Sequence, residues 1–184
     1  MVGNLYKINS CAIVSCSPEW TWESDGHNDY DLWTVFDGEG TLVVGGKEIA
    51  VKAGTSLLLP PNKTIHGTHN PNKPLSVINV HFDFLDGDKP SYPHDLQSRY
   101  VISTVFFREL LCKVILYFYQ EQEKEAKLYF SVALNEFWNS PQIEKLDYPN
   151  GEHVNLIQSI CRSINEDIAS NTSLSDIAIR YGLN

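Results

Sequence analysis

Between positions 27 and 84 the apolar residues come in strand-length runs, broken by glycine, aspartate, asparagine and proline. Such runs predict strands over 30–36, 41–44, 48–51, 55–59 and 75–84, with an earlier one over 5–14. Asp37-Gly38-Glu39-Gly40 and Lys52-Ala53-Gly54 read as turns. Gly45-Gly46, set between two apolar runs, reads as a two-residue hairpin turn, because both positions of a type I′ turn need positive φ. No helix of ordinary length fits between these breaks, so the region is expected to form a small antiparallel β-barrel.

The period changes after the turn-rich stretch 86–95, which carries Gly87, Pro90 and Pro93. Over 101–122 the apolar residues Val105, Phe106, Leu110, Val114 and Tyr117 recur at steps of three and four, the spacing of one helix face. Glu123 and Lys127 form an i, i+4 pair opening a second helix, for which Leu128, Ser131, Leu134 and Trp138 mark the expected buried face. Ser140-Pro141 ends it. A third helix is expected over 155–170, with Ile157, Ile160, Ile164 and Ile168 on one stripe. Ser173 to Asp176 resembles a capping box, and Leu174, Ile177, Ala178 and Tyr181 mark a short helix that Gly182 caps. Asn184 is a good N-cap residue for a further helix.

Composition narrows the function classes. The chain of 184 residues carries 14 Lys and Arg against 23 Asp and Glu, a net charge of −9, with no basic run. Phosphate neutralisation needs clustered cations, so this stretch is a poor nucleic-acid binder. No apolar run is long enough to span a bilayer and no charged leader precedes an apolar core, so a cytoplasmic protein is expected. Cys11, Cys16, Cys112 and Cys161 show no CxxC pairing and are expected as free thiols. No nucleophile–base pair, phosphate loop or nucleotide motif stands out.

Three fragments resemble the cupin fold, and more narrowly the sensor domain of AraC/XylS-type transcription regulators. They are Asp37-Gly38-Glu39-Gly40-Thr41, the run from Gly54 through Pro61 with His66 shortly after, and Val80-His81-Phe82. The segment from Ser173 to Ala178 is similar to the start of the helix-turn-helix region of the same regulators. The resemblance implies an α+β chain: a cupin-like antiparallel barrel, or jelly roll, followed by a helical hairpin and C-terminal helices. It divides the chain into a ligand-sensing barrel (1–95), a helical dimerisation or covering region (96–150), and a linker helix with the start of a truncated helix-turn-helix (151–184). The implied function is sensing a small polar molecule, with a sugar the expected class, by a homodimer that meets DNA only through a domain beyond Asn184. No catalysis, cofactor or membrane contact is expected. The hairpin can serve dimerisation or simply cover the barrel.

Candidate site residues follow from the same resemblance and from strand alternation. On 30–36 the cupin pattern turns Asp31, Trp33 and Val35 inward, with Tyr30, Leu32, Thr34 and Phe36 outward. Val77, Asn79 and His81 share a face by the same rule. The sugar-binding regulators place ligand contacts at positions matching Thr68, Val77 and Asn79. Trp20 and Trp22, two apart on a strand, either seal the barrel or offer a stacking wall for a sugar-like ligand. His27 and His66 complete the ligand-binding set; His69 reads as structural. Metal-binding cupins use a His-rich block for which Asp25, His27, Asp31 and His66 hold the matching positions. That set gives the alternative of a metal-dependent cupin enzyme, an isomerase or dioxygenase. Trp33→Ala and Asn79→Ala are expected to weaken ligand binding with little loss of fold.

Overall fold

The computed structural model describes residues 6–85 and 94–143, together with Asp176 and Ile179. Backbone contacts divide the chain into two units, Met1–Lys145 and Leu146–Asn184. In the second unit, Asp176 and Ile179 are helical and exposed. The helix expected over 155–170 lies outside the described residues, as does nearly all of the tail.

Among its described residues the first unit holds nine strands and two helices. These are β1 (Tyr6–Ser15), β2 (Thr21–Ser24), β3 (Tyr30–Asp37), β4 (Glu39–Val44), β5 (Lys47–Lys52), β6 (Thr55–Leu59), β7 (Ile65–His69), β8 (Ser76–Phe84) and β9 (Gln97–Tyr100), then α1 (Thr104–Tyr119) and α2 (Glu123–Asn139). One sheet has the order β1-β8-β3-β6-β9 and the other β2-β7-β4-β5, with antiparallel pairing throughout. This two-sheet barrel followed by helices is the α+β class the sequence predicts. The Gly45-Gly46 turn has φ of 56° and 85°, both in the region that excludes most side chains, and joins β4 to β5 as expected.

Two cores share the five-stranded sheet. Trp33, Val35, Leu57, Leu59 and Val77 point between the sheets and meet Leu42, Val44, Ile49, Val51 and Ile65 of the other sheet. Leu32, Leu58, Ile78, Val80 and Phe82 point the other way, onto α1 and α2. Strand β6 is therefore buried at all five positions and reads as a continuous apolar run after its two hydroxyl residues. Ser56 faces Thr34 of β3, their hydroxyls 2.8 Å apart, so both buried polar groups find a partner.

The helices correct the expected stripes. In α1 the buried residues are Phe107, Leu110, Leu111 and Val114, while Val105 and Phe106 are exposed. In α2 they are Ala126, Phe130, Ala133, Leu134 and Phe137, while Leu128 and Trp138 are exposed. The helices cover the outer face of the barrel, and Phe130 packs edge-on against Phe82 with ring centroids 4.8 Å apart. Polar ties fix the docking: Tyr6 donates from its hydroxyl to the Lys127 carbonyl at 2.9 Å, and Tyr119 to the Cys11 carbonyl at 3.1 Å. Strand β9, unforeseen in the sequence, pairs with β6 and carries Arg99, whose guanidinium lies over the rings of Phe137 and Trp138. Cys11, Cys16 and Cys112 are free thiols. Among the described residues no helix is long and apolar enough to cross a membrane.

Candidate functional site

Neighbouring strands β3 and β8 bring inward-facing residues into register as Asp31 with His81, Trp33 with Asn79, and Val35 with Val77. The apolar end of this ladder is closed: Trp33, Val35 and Val77 are buried in the barrel core. The polar end opens into a cleft of about 420 Å³, lined among others by Asn9, His27, Asp29, His81 and Asp83.

Each of these side chains is placed by a definable local cause. Asp83 continues the alternation of β8 beyond His81. Asn9 sits at an irregularity where β1 loses register with β8 between Ile8 and Ser10, the kind of bulge that re-aims a side chain. Its amide donates to Asp29 Oδ2 and to Asp83 Oδ2, both at 2.9 Å, so one donor group holds two carboxylates. His27 and Asp29 come from the loop between β2 and β3, pinned by a 2.7 Å bond from the Asn62 N–H to the His27 carbonyl.

His81 is the pivot. Its Nδ1 lies 3.0 Å from Asp29 Oδ1, and its Nε2 faces Asp31 Oδ2 at 3.6 Å, an ion-pair separation beyond hydrogen-bond reach. The Nδ1 side of the ring is thus hydrogen-bonded to Asp29, while the Nε2 side approaches Asp31 without completing a bond. The rings of His27 and His81 meet edge to face, centroids 4.8 Å apart. Trp22 continues the series, 6.1 Å from His27 and 6.1 Å from Trp33, with Trp20 6.4 Å beyond it. The wall depends on Gly67 of β7, directly opposite Trp22. A Cβ there would lie 2.6 Å from Leu42 Cδ2 and 3.2 Å from both Trp20 and Trp22.

Electrostatically the cluster is strained. Asp31 is 1% exposed, and its charge is met only by His81 at 3.6 Å and by the Val80 backbone. Burial pushes its carboxyl up to about 6; His81 pulls against that shift, and the Asp29 charge adds to it. His27 is held below the ordinary imidazole range, first by burial and then by His81, with Asp29 opposing. The buried His27 Nε2 and Asn79 Oδ1 also lack partners.

The structure thus brings together Trp20, Trp22, His27, Asp31, Trp33, Val77, Asn79 and His81. It leaves out His66 and Thr68. Because Ile65 and Gly67 face the core, alternation turns both residues to the outside of the four-stranded sheet, where they are exposed. His66 pairs with Glu23 and lines a separate cleft of about 330 Å³ that also includes Asp25. The set Asp25, His27, Asp31 and His66 is therefore split between two places. Among the described residues no group of three or more His, Cys, Asp or Glu is arranged to hold a metal. Asn9, Asp29 and Asp83 belong to the site and were not singled out in the sequence. Period two extends to Asp83, and Asp29 lies among the polar residues just before β3, whereas nothing in the sequence marks the bulge at Asn9.

Residues 13–81, under half of the chain, match the cupin domain family. No curated protein matches the chain in sequence. Among solved structures, YhaK from Escherichia coli is similar at 18% identity and a TM-score of 0.43, covering 54% of this chain and 44% of its own length. ToxT from Vibrio cholerae, with unsaturated fatty acid bound, is similar at 16% identity and a TM-score of 0.45, covering 97% of this chain and 69% of its own. A predicted oxalate decarboxylase from Thermotoga maritima is similar at 19% identity and a TM-score of 0.39, over 43% of this chain and 69% of its own. The chain spans less than half of the YhaK length.

Proposed function

We propose that this chain is the ligand-sensing and dimerisation part of an AraC-type DNA-binding transcription regulator, which binds a small polar molecule of the sugar class and performs no chemistry. One observation carries the reading. The residues on the inner face of the sheet alternate, one by one, with residues that pack on the helices: Asp31 with Leu32 on β3, and Asn79 and His81, which lines the cleft, with Ile78, Val80 and Phe82 on β8. A ligand that shifts these two strands by a fraction of an ångström moves the floor on which α1 and α2 rest. Regulation then requires only that the ligand bind one helix arrangement more tightly than the other.

The supporting chemistry is an apolar wall of indole rings beside polar atoms that lack partners, the pairing a sugar's C–H faces and hydroxyls need. A second copy would cover apolar side chains exposed on the helices, among them Phe106, Leu116, Leu128 and Trp138. In this reading, with the charge at −9, DNA contact falls to another part of the regulator.

The test is a thermal-shift screen of monosaccharides and small sugar acids with and without EDTA, followed by hydrogen exchange on any hit. A ligand at about 100 times its Kd adds roughly 2.7 kcal/mol, or roughly 5–10 °C in Tm for a chain of this size. The reading expects an EDTA-insensitive shift with altered amide protection in α1 and α2. A large fall in Tm with EDTA alone would replace it with the metal-dependent cupin enzyme.

A further inference from the structure

We propose that the gap between Asp31 and His81 is a one-proton latch: a single proton held there ties β3 to β8 beneath the helices, and its loss lets the two strands ease apart. The device needs no ligand, so it stands or falls apart from the sensing role above.

His81 is fully engaged on one side only. Its Nδ1 lies 3.0 Å from Asp29 Oδ1, within hydrogen-bond reach, while its Nε2 stops 3.6 Å from Asp31 Oδ2. In the neutral ring the Asp29 contact selects the Nδ1–H tautomer, which leaves a lone pair at Nε2. An ionised Asp31 presents only lone pairs in return, and two acceptors cannot bond. One proton closes the gap, carried by either atom. It serves as an imidazolium N–H donating to the carboxylate, or as a carboxylic O–H donating to Nε2. Either bond has a length of about 2.7–2.9 Å.

The surroundings single out this pair. From the loop before β3, His27 stands edge to face with His81, centroids 4.8 Å apart; burial and then His81 hold its imidazole low, so it competes poorly for the same proton. Asp29, from the same loop, is bonded to His81 and to Asn9 of β1. Asp83 of β8 is bonded to the same neutral amide, and Lys7 of β1 lies opposite it in register. Strand β6, on the other side of β3, holds no titratable residue. In the other sheet Glu23 and His66 pair in the separate cleft that includes Asp25. Burial pushes the Asp31 carboxyl up to about 6, which brings the exchange of this proton close to neutral pH.

The pair is placed to be felt by the helices. Asp31 and His81 are partners across β3 and β8, and so are their neighbours Leu32 and Val80, which point onto α1 and α2. Phe82, next to His81, meets Phe130 of α2 with ring centroids 4.8 Å apart. Closing the gap to hydrogen-bond length draws the two side chains together by about 0.8 Å and tightens the floor under α2.

The experiment uses the full chain, EDTA-treated and without ligand. NMR follows the Asp31 carboxyl carbon and the His81 ring nitrogens through a pH titration. One step is expected, with a midpoint at about 6, reported by both residues. Hydrogen exchange, corrected for its intrinsic pH dependence, then compares protection at pH 4.5 and 7.5. Amides of β3, β8 and α2 are expected to be about fivefold better protected at pH 4.5, the worth of one hydrogen bond, with a smaller change in β4 and β5. Asp31→Asn, whose amide supplies a donor at every pH, is expected to remove this dependence and keep the higher protection at pH 7.5. Asp31 titrating at its ordinary 3.8, with no response in the His81 ring, overturns the latch. A protection change of equal size in both sheets is global stability alone and overturns it too. So does a dependence that persists in Asp31→Asn, which assigns it to another group. If that variant fails to fold, the titration of the parent decides.

Discussion

Asp31 and His81 face each other from neighbouring strands with the carboxylate Oδ2 3.6 Å from the imidazole Nε2, and this incomplete contact, with the Val80 backbone, only partly offsets the burial of the charge. Its ordinary value is 3.8 and burial raises it to about 6. Between those values the folded chain holds a proton that the unfolded chain has released. Stability from this group therefore falls as pH rises from about 4 to about 6, and the loss persists above 6. Two pH units correspond to on the order of 3 kcal/mol. Asp31→Asn is expected to flatten that slope and to raise stability at pH 7.5, read by urea denaturation at pH 4.5 and 7.5. Equal stability changes at both pH values would show that the charge is already compensated.

Asn79→Ala is the informative pocket variant. Its Oδ1 is buried and unpaired, so deleting the amide removes an unsatisfied acceptor rather than a made bond. Stability is expected to stay within about 1 kcal/mol of the parent while affinity for the ligand drops about fivefold. Trp33→Ala, equally attractive from the sequence alone, differs in kind. The indole is 3% exposed and packs between the sheets, so its truncation costs about 3–5 kcal/mol and confounds any binding result. Chemical denaturation and titration of the two variants side by side separate the cases.

The barrel was legible because two signals coincide in it: period-two alternation and glycine or proline at nearly every turn. Alternation alone also places Asp31, Trp33, Asn79 and His81 on one face. His66 entered the set through the cupin-like fragment that precedes it, and alternation could not test it because the face of β7 was not fixed; Gly67, with Leu42 and Trp20 against it, is the inward residue, and a glycine announces no face. Strand β9 reads Gln-Ser-Arg-Tyr, without apolar alternation, and becomes a strand by pairing with the otherwise open edge of β6. The helix faces were ambiguous for a different reason. Helix α1 is apolar nearly all round, so spacing cannot choose between Phe106 and Phe107; the sheet beneath does. In α2 the buried Ala126 and Ala133 let the helix approach closely, and small residues carry little weight in a hydrophobic pattern.

That choice of face is measurable. Phe130 is fully buried against Tyr6 and Phe82, whereas Phe106 is 44% exposed. Phe130→Ala is expected to cost about 3–5 kcal/mol, as core phenylalanine truncations do. Phe106→Ala is expected to stay within about 0.5 kcal/mol, as surface changes do. Urea midpoints of the two variants test the docking of the helices on the barrel; comparable losses would mean that α1 presents another face. Sedimentation of Phe106→Ala tests the proposed dimer, since loss of self-association without loss of stability is what an interface residue gives.

Gly67→Ala tests the aromatic wall itself. The added methyl would stand 2.6 Å from Leu42 Cδ2 and 3.2 Å from Trp20, so the Leu42 side chain must turn or the tryptophans must move outward. Overpacking of this kind costs about 1–3 kcal/mol. The backbone at this position has no positive φ to strain, so the whole effect is one of packing. The expected outcome is a modest loss of stability with a shifted indole emission, because Trp20 and Trp22 become more exposed to water. Ligand affinity should fall with it. His66→Ala, one residue away but on the outer face, is expected to change neither emission nor affinity. If His66→Ala impairs binding while Gly67→Ala does not, the ligand sits outside the barrel, in the cleft with Glu23 and Asp25.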